Sequence, residues 1–255
     1  MSEYFRNVTK PRILALLDLL NENNVDYFAS GGTLLGAVRH RGIIPWDNDC
    51  DLGIAFRERE KAFEVLAASG KFYVWQHVEG GYEDSAKTQR YENRVKSFSE
   101  LDCRRNIYIT SADDDKTVSD LEIFLHIPLE TIEKNRWLRT AVSFVLKQCK
   151  EYNPRKSYWW QNRDTYDLSQ GLLVYGLEEF KKAKYGRFNI PCAMAFPLRA
   201  IEFYDRTIKV FQAAEQYLKI KYGENCLTHT SRKDMSSYED KFFDNGNKIT
   251  DFSPL

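Results

Sequence analysis

The chain has 255 residues, enough to bury a full core as one large domain or as a core with an appendage. Lysine plus arginine and aspartate plus glutamate are equal at 37 each, so there is no global basic field typical of general nucleic-acid binders. No run reaches the roughly 18 apolar residues of a membrane-spanning helix, and the opening MSEYFRNVTK lacks the apolar stretch of a signal peptide. We therefore expect a soluble, cytoplasmic protein without a transmembrane segment and without general nucleic-acid binding.

The five cysteines are widely scattered and include no close pair. This spacing indicates neither a disulfide framework nor a structural zinc site. We expect reduced thiols that mostly pack in the core.

The first part of the chain alternates between helical and extended patterns. Residues 11–23 carry apolar side chains at helical spacing and predict a helix that packs on the core. Residues 25–29 predict a short strand, and the glycine pair Gly31-Gly32 then predicts a tight turn from which a helix runs from Thr33 to Arg39. The backbone amides at that helix start are expected to face the ends of the strands.

An alternating acidic cluster follows this helix. If residues 49–54, DCDLGI, are extended, Asp49 and Asp51 project from one face with Cα atoms roughly 6.6 Å apart. Two carboxylates so placed suit a shared divalent metal ion. Asp47 has the same period-two relation to Asp49, but the proline and tryptophan before it make the local backbone irregular, so it is either a ligand or an orienting residue.

The middle of the chain predicts further strands. A helix is expected at 60–68, and strands are expected at 72–77, 90–98, 107–110 and 120–127. The last two strands are expected to form a hairpin that returns to the active face.

From residue 128 to about 186 the pattern changes to helices rich in aromatic and basic residues, which predicts a helical insertion over the core. A β-hairpin around Asp205-Arg206 follows, and then a helix from Ala213 to Tyr222 that ends at Gly223. The polar tail, residues 231–255, is expected to be loosely ordered.

The segment from Gly31 to Ile54, GGTLLGAVRHRGIIPWDNDCDLGI, resembles the signature of the LicD and fukutin-related family. That pattern runs GTLLG, then RH, then IPW and an aspartate cluster. Later matches to the family are Pro197-Leu198, Ile201-Glu202-Phe203, Tyr217-Leu218 and Tyr222-Gly223. The resemblance implies an α+β fold whose core is a nucleotidyltransferase-type mixed β-sheet flanked by helices. We expect this core at 1–127, and the aromatic-rich helical insertion and C-terminal family segment at 128–230.

The resemblance also implies a function. Family members of known activity move a phosphorylated alcohol, such as phosphocholine or ribitol phosphate, from a cytidine nucleotide to a glycan. We therefore expect Mg²⁺-dependent transfer, with Mn²⁺ as the alternative ion, from a CDP-linked donor to a carbohydrate or glycoconjugate acceptor. Two rivals stay open: a nucleotidyltransferase that moves a nucleoside monophosphate to protein, RNA or a small molecule, and a non-catalytic glycan-binding relative.

A nucleotidyltransferase-type site needs three carboxylates, two for the metal and a third on a neighbouring strand. The family usually places an aspartate directly before isoleucine-phenylalanine, and Glu122 occupies that position here. Asp120 shares the strand face and is the alternative third acid. The expected catalytic residues are Asp49, Asp51 and Glu122, and Asp47 joins these three in the expected set of metal ligands.

Other residues are candidates for substrate binding. Gly31, Gly32 and Thr33 could present backbone amides to a phosphate at a helix start. Arg39 and His40 either hold the donor's phosphates or tie the following loop to the core.

Two further groups have the same two interpretations. Arg94 and Lys96 alternate on a predicted strand, where they either neutralise phosphate charge or face solvent. Tyr158, Trp159 and Trp160 either stack on a sugar acceptor or pack in the core.

Overall fold

The computed structural model describes residues 3–47, 49–76, 95, 107–113, 117–133, 158–174 and 189–228. The helices are α1 (Lys10–Glu22), α2 (Gly31–His40), α3 (Arg59–Ser69), α4 (Leu129–Glu133), α5 (Tyr158–Gln161), α6 (Cys192–Ala195) and α7 (Ala214–Tyr222). The strands are β1 (Tyr27–Ala29), β2 (Asp51–Ala55), β3 (Phe72–Gln76), β4 (Ile107–Ser111), β5 (Thr117–Ile127), β6 (Leu172–Val174), β7 (Ile190–Pro191), β8 (Arg199–Phe203) and β9 (Arg206–Val210). A π-helical turn, Phe5–Thr9, precedes α1, and a 3₁₀ turn, Phe56–Glu58, precedes α3.

Helices α1 and α2 follow from local sequence signals. The apolar residues of α1 recur at helical spacing and are buried, and Pro11 lies in the first turn, where its missing amide hydrogen is not needed. Helix α2 begins at Gly31, whose φ of +48° suits glycine, and closes at Arg41, whose φ is +52°. Both predicted helices are confirmed, with α2 starting two residues earlier than expected.

Strand β5 is the centre of a mixed sheet. Within the described residues the strands run in the order β1-β2-β5-β4-β3, with β6 also paired to β5 and β7 paired to β6. The pair β2–β5 is parallel, whereas β1–β2, β3–β4 and β4–β5 are antiparallel. The predicted α+β class with a mixed sheet flanked by helices is confirmed, as is the hairpin that β4 and β5 form.

The stretch predicted to be a helical insertion contains a strand. Leu172–Val174 forms β6, which pairs antiparallel with the second half of β5. A run of three apolar residues cannot be assigned to strand or helix by periodicity, and here the sheet edge offered by β5 decides the outcome. The division into a core and an appendage stays a prediction, although β6 belongs to the sheet of the core.

Hairpin β8–β9 and helix α7 pack against the N-terminal elements. Lys209 Nζ donates a hydrogen bond of 2.8 Å to the Val25 carbonyl oxygen, which joins β9 to the chain before β1. Arg199 donates to both carboxylate oxygens of Glu215, at 2.5 and 2.6 Å, which joins β8 to α7. The predicted hairpin and the helix after it are confirmed.

The described cysteines Cys50, Cys192 and Cys226 are free and buried, as expected. Among the described residues, no helix is both long enough and apolar enough to cross a membrane.

An aromatic cluster lies on the sheet face that carries the acidic residues of β2 and β5. Gly53 is opposite Phe28 in β1 and opposite Glu122 in β5. Because Gly53 has no side chain, the Phe28 ring crosses over it, and a Cβ built on Gly53 would lie 2.1 Å from Phe28 Cε2. Phe28 packs against Phe124 and Phe211, with ring centroids 5.0 and 4.7 Å away. These three rings form an apolar base beside the acids.

We expect Gly53→Ala to lower the free energy of unfolding by about 1–3 kcal/mol, the usual effect of forcing a methyl group into a filled core. In a Phe28→Leu background the same change should be less destabilising, because leucine leaves room for the new Cβ. Urea unfolding of the four proteins measures this coupling. Equal losses in both backgrounds would contradict the packing of Phe28 over Gly53.

Candidate active site

Parallel pairing of β2 and β5 brings acidic side chains together. Asp51 lies opposite Asp120, and Gly53 lies opposite Glu122. Paired residues on neighbouring strands are roughly 4.8 Å apart and point to the same face of the sheet. The sequence left Glu122 and Asp120 as alternatives for the third acid, and the structure places both beside Asp51.

Asp51 is anchored to the start of α2 through its backbone. Its N–H donates to Thr33 Oγ1 at 2.8 Å, and its carbonyl oxygen accepts the Ser30 N–H at 2.9 Å. Thr33 is only 1% exposed, so its hydroxyl positions β2 from inside the protein. These bonds bring the carboxylate to the first residue of α2, where a Cβ on Gly31 would lie 2.7 Å from Asp51 Oδ2.

Asp47 reaches the same helix start from the loop before β2. Its N–H donates to the Ile44 carbonyl oxygen at 2.8 Å, and a Cβ on Gly32 would lie 2.9 Å from Asp47 Oδ2. The glycine pair thus leaves room for two carboxylates at the positive end of the helix. The expected phosphate cradle is lined by acids as well as amides, so a phosphate group bound there needs a cation to screen the repulsion.

Charge crowding marks the centre of the site. Burial, and after it the charges of neighbouring carboxylates, raises the pKa of Asp51 to about 8. Those neighbours, in decreasing order of effect, are Glu122, Asp49, Asp120 and Asp47. Burial and the charge of Asp49 raise the pKa of Asp120 to about 6. We call these residues, Asp47, Asp49, Asp51, Asp120 and Glu122, the acidic cluster. A divalent cation would relieve their repulsion.

The position of Asp49 differs from the prediction. Strand β2 begins at Asp51, so Asp49 lies before the strand and is exposed. The predicted start of the strand at residue 49 is therefore wrong by two residues. On the β1 side the ladder ends at the pair Ala29–Leu52, because the chain leaves β1 there to form α2. The charge of Asp49 still acts on Asp51, so it belongs to the cluster electrostatically.

Arg39 and His40 lie at the other end of α2 from Gly31, about 13 Å away along a helix of 10 residues. Arg39 Nη1 donates to the Cys226 carbonyl oxygen at 2.8 Å, and Arg39 Nε donates to His40 Nε2 at 2.9 Å. Burial lowers the pKa of both side chains, and the charge of Arg39 lowers that of His40 further. These contacts agree with the interpretation that the pair ties this end of α2 to the core. A role in donor binding stays a prediction.

Arg94 and Lys96 lie outside the described residues. Val95, between them, is buried, and its N–H donates to the Val74 carbonyl oxygen at 2.9 Å. This bond places the backbone at residue 95 beside β3.

The aromatic run of α5 contributes to the core. Trp159 is 0% exposed and packs edge-to-face against Tyr158 and Tyr166. Trp160 is partly exposed, and the Arg163 guanidinium lies 5.3 Å from its ring. The core interpretation is confirmed for Trp159, and sugar stacking by Trp160 stays a prediction.

Sequence reasoning missed an aromatic pair beside the acids. Tyr108 is the β4 partner of Asp120, so the two side chains share a face of the sheet. Its ring stacks on Trp75 with centroids 4.3 Å apart. Period-two alternation along residues 107–111 could have placed Tyr108 on that face once the register was known.

Sequence reasoning also missed a lysine on α7. Lys221 is 8% exposed, and its Nζ lies 6.0 Å from the centroid of the Tyr217 ring. Burial raises the pKa of Tyr217 to about 12, and the charges of both Lys221 and Glu122 act on it. Lys221 and Glu122 therefore both lie close enough to Tyr217 for their charges to act on it. Only tertiary packing brings α7 close to Glu122, so the sequence carried no signal for it.

The acidic cluster is not a closed metal cage. Among the described residues, no group of three His, Cys, Asp or Glu side chains is arranged to hold a metal ion by itself. Mg²⁺, however, is usually bound by one or two carboxylates and completes its shell with waters and substrate phosphates. The crowded carboxylates beside the amides of α2 fit that kind of site, in which the ion and a phosphate-bearing substrate bind together.

An open groove of about 560 Å³ lies away from the acidic cluster. One wall comes from α1, with Asp18, Asn21 and Glu22, and the other comes from hairpin β8–β9. None of the acidic cluster lines it, so the groove is not the candidate active site.

Comparison with known proteins agrees with this geometry. Residues 24–126 match the LicD/FKTN/FKRP nucleotidyltransferase domain. The matched range runs from before β1 to near the end of β5, so it includes every member of the acidic cluster. The class of domain implied by the resemblance is therefore confirmed.

Individual relatives define the family. Lipopolysaccharide cholinephosphotransferase LicD of Haemophilus influenzae is 30% identical over 234 residues, which cover 81% of this chain and 84% of that protein. An uncharacterised protein of Rickettsia prowazekii is 49% identical over 71 residues, 28% of this chain and 27% of that protein. Ribitol 5-phosphate transferase FKRP of Mus musculus is 36% identical over 74 residues, 26% of this chain and 15% of that protein. The chain belongs to the LicD/FKTN/FKRP family, and its named relatives are transferases.

We expect Asp51→Asn to raise the free energy of unfolding near neutral pH by roughly 1 kcal/mol, or about 2–4 °C in Tm. The folded-state pKa of Asp51, about 8, lies above its ordinary value of 3.8, so the folded state binds more protons between these values. Stability is therefore lost as pH rises through this range, and asparagine removes that loss. Thermal unfolding across the range measures it.

Asp113→Asn is the control, because this carboxylate is 83% exposed in the β4–β5 turn. It should leave the pH dependence of Tm unchanged. A Tm for Asp51→Asn below that of the wild type at the alkaline end would contradict the expected repulsion.

Proposed function

We propose that the protein transfers a phosphorylated alcohol from a CDP-linked donor to a hydroxyl group of a carbohydrate or glycoconjugate, in a Mg²⁺-dependent reaction. The observation that carries this proposal is the acidic cluster at the start of α2, within a domain of the LicD/FKTN/FKRP family. The names of two relatives, a cholinephosphotransferase and a ribitol 5-phosphate transferase, support the kind of group transferred.

The acidic cluster would hold Mg²⁺ through one or two of the predicted ligands Asp47, Asp49, Asp51 and Glu122, with waters and the donor's phosphates completing the shell of the ion. An ion bound there would neutralise the negative charge of the donor's diphosphate and polarise the phosphoryl group. The backbone amides of Gly31 and Gly32 would bind a phosphate oxygen, because the N-terminus of α2 favours an anion once a cation screens the carboxylates. The three packed phenylalanine rings exclude water from one side of the site, which strengthens these electrostatic interactions.

Glu122 or Asp120 would orient the acceptor hydroxyl and take its proton. Without a bound ion, burial and the charge of Asp49 raise the pKa of Asp120 to about 6, which makes its carboxylate a stronger base than an ordinary aspartate. Glu122 occupies the family position and is one methylene longer than the usual aspartate, which extends its reach. Both assignments predict a general base on β5 rather than on β2.

The rival activities differ in their products. Transfer of a phospho-alcohol releases the nucleoside monophosphate, whereas nucleotidyl transfer from a nucleoside triphosphate releases pyrophosphate. Mass spectrometry of the products separates them. Any Mg²⁺-dependent turnover of a donor would exclude the non-catalytic glycan-binding alternative. The cytoplasmic location expected from the sequence stays a prediction.

We expect a CDP-linked donor to bind more tightly with Mg²⁺ than with chelator, because the ion screens the carboxylates that line the cradle. A site that hydrogen-bonds the cytosine amino group should prefer cytidine over uridine by at least ~1–3 kcal/mol. Calorimetric titration of cytidine and uridine conjugates measures both effects.

Asp51→Asn is the matched variant for this titration. Its affinity for the donor should be the same with Mg²⁺ as with chelator. Binding that ignores the metal would contradict the mechanism. Metal-dependent binding that favours uridine would discard only the cytidine donor.

We expect Glu122→Gln to be severely impaired and Glu122→Asp to retain part of the activity, since the family's usual residue is aspartate. Asp120→Asn is the comparison that assigns the base, and initial rates under saturating Mg²⁺ measure all three. Wild-type rates in Glu122→Gln together with a large loss in Asp120→Asn would move the third acid to Asp120.

A further inference from the structure

The loop that leaves α2, residues 41–47, carries Asp47 and leads toward Asp49; we call it the acidic loop. It runs back along α2 at close range: a Cβ on Gly36 would lie 2.5 Å from the Gly42 carbonyl oxygen and 3.0 Å from the Ile44 nitrogen. Ile43 and Ile44 are 2% and 4% exposed. Residues 42–44 of the acidic loop are therefore packed inside the protein, and these packing contacts set the path of the loop.

Tyr204, in the turn of hairpin β8–β9, contacts the first residues of the acidic loop. Its N–H donates to the Arg41 carbonyl oxygen at 2.6 Å, and its hydroxyl oxygen accepts the Ile43 N–H at 3.0 Å. Between these two bonds the loop lies directly on the ring, since a Cβ on Gly42 would be 2.6 Å from Tyr204 Cε1. Tyr204 thus contacts three consecutive residues about 160 positions away in sequence, Arg41 through its backbone N–H and the next two through its side chain.

Tyr204 holds this position against its own backbone preference. Its φ is +55°, in the left-handed region that disfavours a side chain, and Arg41 has a φ of +52°. Each such residue costs about 1–2 kcal/mol, so the surrounding contacts must offset the strain. Lys10 Nζ lies 4.1 Å from the centroid of the Tyr204 ring, and the Phe203 ring packs edge-to-face on it.

The contact is transmitted to Asp47 through one residue. Ile43 is fixed by the Tyr204 hydroxyl, and the carbonyl oxygen of the next residue, Ile44, accepts the Asp47 N–H at 2.8 Å. Asp47 Oδ2 in turn lies against Gly32 at the start of α2. A chain of contacts thus runs from Tyr204 through Ile43 and the next residue to the carboxylate of Asp47.

We propose that Tyr204 is a positioning residue of the transfer site, whose hydroxyl and ring hold the acidic loop so that Asp47 reaches the start of α2. This inference rests on the proposed function. It assigns to a hairpin outside the matched nucleotidyltransferase domain a part in shaping the metal-binding side of the site.

The test compares Tyr204→Phe with Tyr27→Phe, each of which removes one phenol hydroxyl. The Tyr27 hydroxyl donates to Asn21 Oδ1 at 3.1 Å, a bond of similar length that does not involve the acidic loop. Hydrogen exchange followed by mass spectrometry reports the backbone of residues 41–47. Calorimetric titration with Mg²⁺ in the presence of a CDP-linked donor, and the Mg²⁺ concentration for half-maximal transfer, report the site.

In Tyr204→Phe we expect amide exchange in residues 41–47 to rise roughly threefold to tenfold, as expected for the loss of one hydrogen bond. The Mg²⁺ requirement should rise several-fold, while the rate at saturating Mg²⁺ changes less. Tyr27→Phe should lose a similar amount of thermal stability without either effect.

Unchanged exchange in Tyr204→Phe would overturn the inference. Faster exchange with unaltered Mg²⁺ binding would also overturn it, because Tyr204 would then be structural only. If the wild type binds Mg²⁺ but transfers nothing from any donor, the proposed function fails, and the exchange and Mg²⁺ titrations still decide the role of Tyr204. A wild type that binds no Mg²⁺ even in the presence of a CDP-linked donor would refute both.

Discussion

Repulsion among the carboxylates of the acidic cluster is the constraint on which the rest of the site depends. Asp51 is half-buried between acids on β5 and Asp47 in the acidic loop, with an aromatic base on the same face of the sheet. The fold overcomes this repulsion through its backbone. A backbone hydrogen bond joins Asp51 to Ser30, a bond to the Thr33 hydroxyl adds to it, and the parallel ladder joins β2 to β5. These bonds hold β2 in place although the carboxylates of the acidic cluster repel one another.

The glycines of the signature have a steric role as well as a conformational one. At Gly31 and Gly32 any side chain would occupy the place of a carboxylate, and at Gly53 it would displace Phe28. The acids can therefore lie against the start of α2, where the helix dipole offsets part of their charge. The apolar rings then keep water away from one side, which strengthens both the repulsion and the attraction for a cation.

Local sequence patterns were sufficient for much of the N-terminal half. Apolar periodicity predicted α1, the glycine pair predicted α2 with a start two residues too late, and alternation predicted β2 with a start two residues too early. Alternation could not choose between Glu122 and Asp120 as the third acid, because it puts both on one face of β5. The register between β5 and β2, which the sequence does not reveal, shows that both lie beside Asp51. Lys221 and Tyr204 had no local signal, since their positions depend on contacts between segments that are distant in sequence.

The two anchors of the site differ greatly in the length of chain that they connect. Thr33 and Asp51 are 18 positions apart, whereas Tyr204 and Ile43 are 161 apart. Contacts between nearby residues form quickly, and distant ones must first overcome a larger loop-closure entropy. During synthesis, α2 and β2 leave the ribosome long before hairpin β8–β9 exists. In the nascent chain the acidic loop would therefore lack its contacts with Tyr204, and the acidic cluster would reach its final arrangement only after the hairpin has docked.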